Sequence, residues 1–217
     1  MRYAITRRRA LATLGALAAG AAFAPARADT PPRAKLDARD AADVARIERY
    51  LNDIHTLQGR FIQTASNGAY AEGKIYLERP DRLRLDYAPP AKLQVFADGF
   101  WLIYVDYELH NVSQVPLSST PAAVLVSDKV KLSGDVTVLR VDRGKQTINV
   151  HLIQTSDPDQ GQLVLAFTDA PLQLRDWTVV DAQGVHTRVA LVNTEFNAPV
   201  ERDVFFFDPP PWAAAPQ

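Results

Sequence analysis

The chain has 217 residues, 47% of them hydrophobic and 23% charged, with 24 lysines and arginines against 25 aspartates and glutamates and no cysteine. That composition excludes a disordered chain and leaves enough residues for one domain with a real core. Without cysteine there is no disulfide and no thiol chemistry, and no lipid can be attached to an N-terminal cysteine.

Residues 1–28 read as an export signal. Arg7, Arg8 and Arg9 make a basic start, residues 10–24 are uncharged and rich in Ala, Leu and Gly, and Ala26-Arg27-Ala28 places small residues where a signal peptidase reads. The apolar run is too short to anchor the chain across a bilayer. Thr6-Arg7-Arg8-Arg9 fits a twin-arginine leader and an ordinary Sec leader equally well. Such a leader removes five of the 24 basic residues and no acid, so 19 remain against 25 acidic ones, a net charge near −6. An exported protein of that charge is not expected to bind nucleic acid or an anionic membrane surface.

Residues 29–38 form a Pro-rich, charged arm expected to be flexible. Val44, Ile47, Tyr50, Leu51, Ile54 and Leu57 then recur at spacings of three and four, which predicts an amphipathic helix from an Asp40 N-cap to about Leu57, stopped by Gly59. After it the apolar period becomes two. Strands are predicted near 59–65, 70–79, 82–88, 92–97, 100–106 and 109–115, with Asp98-Gly99 the strongest hairpin signal. Thr120 as N-cap and Pro121 at the first helical position predict a short helix over 120–126 whose Val124, Leu125 and Val126 must be held by packing. Six further strands are predicted near 135–142, 146–154, 161–168, 172–180, 185–195 and 204–207, before a Pro-rich tail over 209–217.

The expected fold is mainly β: a single curled antiparallel sheet of about 11–12 strands, a half-open barrel with an N-terminal helix and a short helical lid. A sheet that long curls around a space its own side chains cannot fill. Phe100–Val105 and Gln162–Phe167 are apolar on both alternations, so both of their faces meet apolar surroundings. On pattern alone, a two-layer sandwich with a dry core fits these strands equally well.

Nothing in the chain points to catalysis. His55, His110, His151 and His186 stand on separate elements without a second ligand at metal-binding spacing, and there is no Gly-x-Ser-x-Gly, His-Glu-x-x-His or phosphate loop. Asp157-Pro158-Asp159-Gln160-Gly161 is explained by a hairpin turn rather than a calcium loop. No catalytic residue, metal or cofactor is expected. One stretch is odd: in Ile75–Tyr87, Arg79 falls in the same alternation as Ile75 and Leu77, just before Pro80. It either faces the apolar side of the strand or turns into solvent at the Pro80 corner.

The ordered set Leu57-Gln-Gly-Arg-Phe61, Gly73-Lys-Ile-Tyr-Leu-Glu-Arg79-Pro80, Ala97-Asp98-Gly99 and Thr120-Pro121 resembles the LolA family, periplasmic carriers of outer-membrane lipoproteins, over about residues 39–208. The resemblance implies a half-open barrel with an apolar concave face and a mouth covered by short helices. It implies as partners triacylated lipoproteins, an inner-membrane ABC lipoprotein-releasing complex and a LolB-like outer-membrane receptor, with the carrier acting as a monomer. The receptor shares the fold but is itself a lipoprotein, so the missing cysteine favours the carrier. Arg79 with Pro80 matches the family's arginine before proline, which implies a latch on the lid formed by Pro121, Ala122, Val124, Leu125 and Val126. Phe61, Ile75, Leu77, Leu83, Leu85, Ile103, Leu165 and Phe167 are then expected to line an acyl-chain cavity. Leu83, Leu85 and Ile103 stand where the family commonly has aromatic residues, which leaves the lipid it fits open. A carrier or sensor of another hydrophobic ligand, such as a glycolipid or hopanoid, remains the alternative.

Overall fold

The computed structural model describes residues 36–213, so the export signal, most of the arm and the end of the tail lie outside the described residues. One helix, α1 (Ala38–Asn52), leads into β1 (Thr56–Ala65), β2 (Tyr70–Glu78), β3 (Arg82–Tyr87), β4 (Leu93–Asp98), β5 (Trp101–Asp106) and β6 (Asn111–Pro116). A short helix, α2 (Ala122–Val126), precedes β7 (Val136–Arg143), β8 (Thr147–Gln154), β9 (Gly161–Thr168), β10 (Gln173–Asp181) and β11 (His186–Phe196). The eleven strands form one antiparallel sheet in the order β6-β5-β4-β3-β2-β1-β11-β10-β9-β8-β7. Two meanders therefore meet along the β1–β11 pair, where Phe61 lies opposite Leu191. Among the described residues β6 and β7 are the free edges, and the connector carrying α2 runs from one to the other. This is the open, curled sheet rather than the sandwich.

Both helix boundaries differ from those the sequence predicts. Asp37, not Asp40, caps α1, its carboxylate accepting from the Asp40 amide at 2.7 Å. Leu36, inside the predicted arm, already packs against the core. At the other end the helix stops at Asn52, whose side chain bonds back to Glu48 O (2.7 Å), while Asn197 accepts from the His55 amide (2.7 Å) and donates to Asp53 O (2.8 Å). Short polar side chains compete for helix carbonyls and amides, so the Asn52-Asp53 pair ends the helix before Gly59. Gly59 instead sits at a β1–β11 irregularity, where a Cβ would lie 2.9 Å from Thr194 Cα. Thr120 does not cap α2 through its side chain; its hydroxyl donates to Leu117 O at 2.8 Å.

The twelfth predicted strand, 204–207, is absent. Arg202–Phe205 form a 3-10 turn, and Phe207 and Trp212 pack on the convex face against Phe96, Ile103 and Val105. Arg84 fixes this strap, donating to Val204 O (2.7 Å) and stacking over the Phe96 ring. Pro209, Pro210 and Pro211 have no amide to offer a ladder, which is why the segment crosses the sheet instead of joining it.

The main core fills the concave face. Ile47 and Leu51 of α1 and Leu125 and Val126 of α2 pack against inward residues of both meanders. Charge ties α1 to the β7–β10 half: Arg143 bridges Asp40 and Asp43 (both 2.6 Å), Arg46 meets Asp169 (2.5 Å), and Tyr50 accepts from the Leu174 amide (3.0 Å). The helix is thus held at several points along its length. By contrast α2, little more than one turn long, is held by its apolar side chains and by the β2–β3 turn.

Candidate functional site

Arg79 turns inward. Its Nε donates to Leu125 O (2.9 Å), and its Nη1 donates to Ile54 O (3.0 Å) and to Leu51 O. Leu51 O and Leu125 O belong to the last turns of α1 and α2, whose carbonyls have no intrahelical partner and carry the negative end of each helix dipole. One guanidinium therefore caps two helices at once. The Arg79 amide donates to His55 O (2.8 Å) and the Asp81 amide to Val126 O (2.8 Å), so the β2–β3 turn grips the same two helix ends through its backbone.

Among the described residues the guanidinium has no carboxylate partner and bonds only to carbonyls. Burial pushes its pKa down to about 10, still far above neutral pH, so it stays charged. A charge held away from water without a counter-ion is costly. The closed arrangement is therefore stabilised by three charge-assisted hydrogen bonds and opposed by desolvation, a balance that a moderate perturbation can tip. Pro80 is exposed at the turn.

Beneath Arg79 the concave face is apolar. A cavity of about 20 Å³ lies among Leu51, Leu57, Leu77, Leu83, Leu125 and Trp177, room for roughly one water. Leu125 and Val126 of α2 pack into the same apolar cluster. Among the described residues no group of three His, Asp or Glu side chains converges as a metal site, and no helix is long and apolar enough to cross a membrane.

A family model described as "Outer membrane lipoprotein carrier protein LolA" matches residues 52–208. The chain belongs to the LolA family. It is 30% identical over 189 residues to the outer-membrane lipoprotein carrier protein of Halorhodospira halophila, covering 81% of this chain and 86% of that one. Over 183 residues it is 28% identical to the protein of the same name from Alkalilimnicola ehrlichii, covering 80% and 83%. A LolA superfamily protein of Nitrosomonas europaea, NE2245, aligns with a TM-score of 0.45 at 9% identity, covering 76% of this chain and 97% of that one, a likeness too low to add to the assignment.

Within this LolA-family fold, Phe61, Ile75, Leu77, Leu83, Leu85, Leu165 and Phe167 share one cluster with Leu125 and Val126 of the lid. Ala122 and Val124 pack at its margin and Pro121 is half-buried. Ile103 does not belong with them. It lies opposite Phe96 in the β4–β5 register and joins Val105, Phe207 and Trp212 on the convex face. Both alternations of this strand are apolar, and only the chain's return as a C-terminal strap decides which one faces outward. Sequence reasoning also missed Ile54 and Leu174, which line the small cavity with Trp177, and Val130 and Leu132, each 2% exposed in the α2–β7 connector. A helical pattern over-extended by five residues concealed the first, and two isolated apolar residues carry no periodicity.

At the end of the concave face away from the lid, Tyr87 donates to Gln63 Oε1 (2.8 Å) and meets the Phe61 ring edge-on at 5.0 Å. Burial, and secondarily Tyr104, push its pKa up to about 12, against an ordinary value of 10.0. Between those values the unfolded chain loses its proton first, so stability present below pH 10 falls as pH rises through the window. The expected loss is about 2–3 kcal/mol by pH 12. Denaturant midpoints measured across this range in wild type and Tyr87→Phe check it: a variant falling as steeply as wild type refutes the assignment.

Proposed function

We propose that the protein is a periplasmic carrier that shields the acyl chains of lipoproteins in its concave face and moves them from an inner-membrane ABC transporter to an outer-membrane receptor. The observation that carries this reading is Arg79, one charged side chain closing two helices over a wall that is otherwise apolar. Family membership and the names of the relatives support it. Arg79 is the latch: it holds α2 shut when the carrier is empty, and entering chains displace it.

Each buried methylene contributes about 0.8 kcal/mol, so several acyl chains hold a lipoprotein in a bilayer almost permanently. A carrier must match that stabilisation and still let go. Here Leu125, Val126 and their neighbours fill the site in the empty state, so loading exchanges one set of apolar contacts for another. Aliphatic walls have no directional bonds to break, and release is driven by the lid's return to its own contacts and to Arg79.

The test is incubation of the mature protein with proteoliposomes bearing a lipoprotein-releasing transporter and ATP. The expected result is acylated lipoprotein in the soluble fraction, in a one-to-one complex with the carrier. A soluble fraction holding glycolipid or another free lipid but no lipoprotein would refute this reading in favour of a different hydrophobic load.

A further inference from the structure

The connector between α2 and β7 carries a second fastening. Residues 127–135 have no regular structure, yet Val130 and Leu132 are each only 2% exposed. Asn52 brackets Val130: its Nδ2 donates to Val130 O (2.9 Å) and its Oδ1 accepts from the Val130 amide (2.8 Å). One turn earlier on α1, Glu48 Oε1 accepts from the Leu132 amide at 2.6 Å. Among the described residues these are the hydrogen bonds that fasten 128–134 to the rest of the fold, and none involves Arg79.

Two hollows flank this connector. One, of about 960 Å³, lies on the α2 side and reaches Leu152 and Leu163 at its floor. The other, of about 610 Å³, lies against Val44, Ala45 and Glu48 of α1. Ser133, Gly134, Val136 and Thr155 border both, so the connector is the partition between them. Lifting it with its Val130 and Leu132 plugs joins the two into one trough floored by β7–β9. The enclosed cavity under Arg79, at about 20 Å³, offers no comparable space.

We propose that residues 127–135 are a gate distinct from the Arg79-held helix, that acyl chains enter across it between α1 and α2, and that Glu48 and Asn52 are the positioning residues that hold it shut. This rests on the carrier reading. The element that moves is the connector, because α1 is tied to the β7–β10 half by Arg143, Arg46 and Tyr50. Hydroxyls of Ser118, Ser119, Ser127 and Ser133 around the larger hollow give a polar rim for the peptide end of the cargo, which cannot follow its chains into an apolar core.

Asn52→Leu tests the gate without touching Arg79. In the empty protein, amide exchange at Val130 and Leu132 is expected to accelerate at least tenfold, while the Leu174 amide, which reports α1 docking, stays protected. Uptake of a synthetic triacyl lipopeptide should then be about tenfold faster, because losing both bonds raises the open fraction. Asn52→Asp, which keeps the acceptor for the Val130 amide, should lie between. A second measurement does not depend on these variants: an environment-sensitive fluorophore on Lys131→Cys, the sole thiol in the chain, should shift when the lipopeptide binds, and the same label on Lys145→Cys should not. Lipopeptide binding with unchanged exchange at Val130, or with a silent label at position 131, overturns the gate and leaves the carrier reading intact. A wild-type protein that takes up no lipopeptide overturns both.

Discussion

Arg79→Leu should load lipoprotein and fail to hand it on. The substitution keeps an apolar body under the lid but removes the guanidinium donor from Leu51 O, Ile54 O and Leu125 O. Charge-assisted hydrogen bonds contribute about 1.5–3 kcal/mol each, and removing the buried charge returns part of that through relieved desolvation. A net loss of about 2 kcal/mol from the closed state is expected, equivalent to roughly a thirty-fold change in the open-to-closed ratio. If, as proposed, reclosure expels the chains, the weakened lid should bind cargo more tightly and release it more slowly. Single-turnover transfer of a fluorescent lipopeptide from loaded carrier to receptor-bearing vesicles reads this directly. Transfer at the wild-type rate would remove Arg79 from the mechanism. Arg79→Lys should recover only part of the loss, since one ammonium on a flexible stem does not reproduce the planar fork that reaches both helices.

Phe61→Ala has the largest expected effect on stability. The ring is fully buried, packs edge-on to Tyr87, and stands on β1 at the junction of the two meanders. Truncating a phenylalanine in such a core costs about 3–5 kcal/mol, a fall of about 10 °C in Tm for a chain of this size. Phe61 is also one of the residues expected to line the acyl-chain cavity, so hand-over by the surviving folded protein should be altered as well at a temperature well below the transition. Thermal unfolding followed by circular dichroism measures the first expectation and the transfer assay the second. A Tm within about 3 °C of wild type would mean the concave face collapses readily around the gap.

Much of the scaffold was legible because β structure writes itself locally. Asp98-Gly99 marks a hairpin with Gly99 at φ +99, and the alternation of Ile75, Leu77, Leu83 and Leu85 assigns one face across two strands. The errors fall where a local pattern is overruled from a distance. Asn197 and Val130 hold the residues around the end of α1, more than 70 positions away in the chain. Ile103 faces outward because Phe207 and Trp212 return to cover it. Arg79 shows the limit most clearly: its acceptors are backbone carbonyls, which every residue has, so no letter of the sequence identifies them. Periodicity could mark the arginine as out of place and the resemblance set it against the lid, but its partners on the α1 side, Leu51 O and Ile54 O, became visible only in the folded chain.

The unpaired edges at β6 and β7 have a consequence for how much the molecule can hold. In a closed barrel, strand number and stagger fix the bore, and widening it means breaking a ladder. Here, among the described residues, no ladder joins the edge strands β6 and β7, so the gape between the two meanders can vary through small changes of twist at each of ten strand pairs, with every interstrand bond kept. Capacity is then elastic. On the proposed carrier function, the same sheet would close on its own lid when empty and spread by degrees around cargo with fewer or more chains, with the upper limit set by the length of the segment that bridges its two margins.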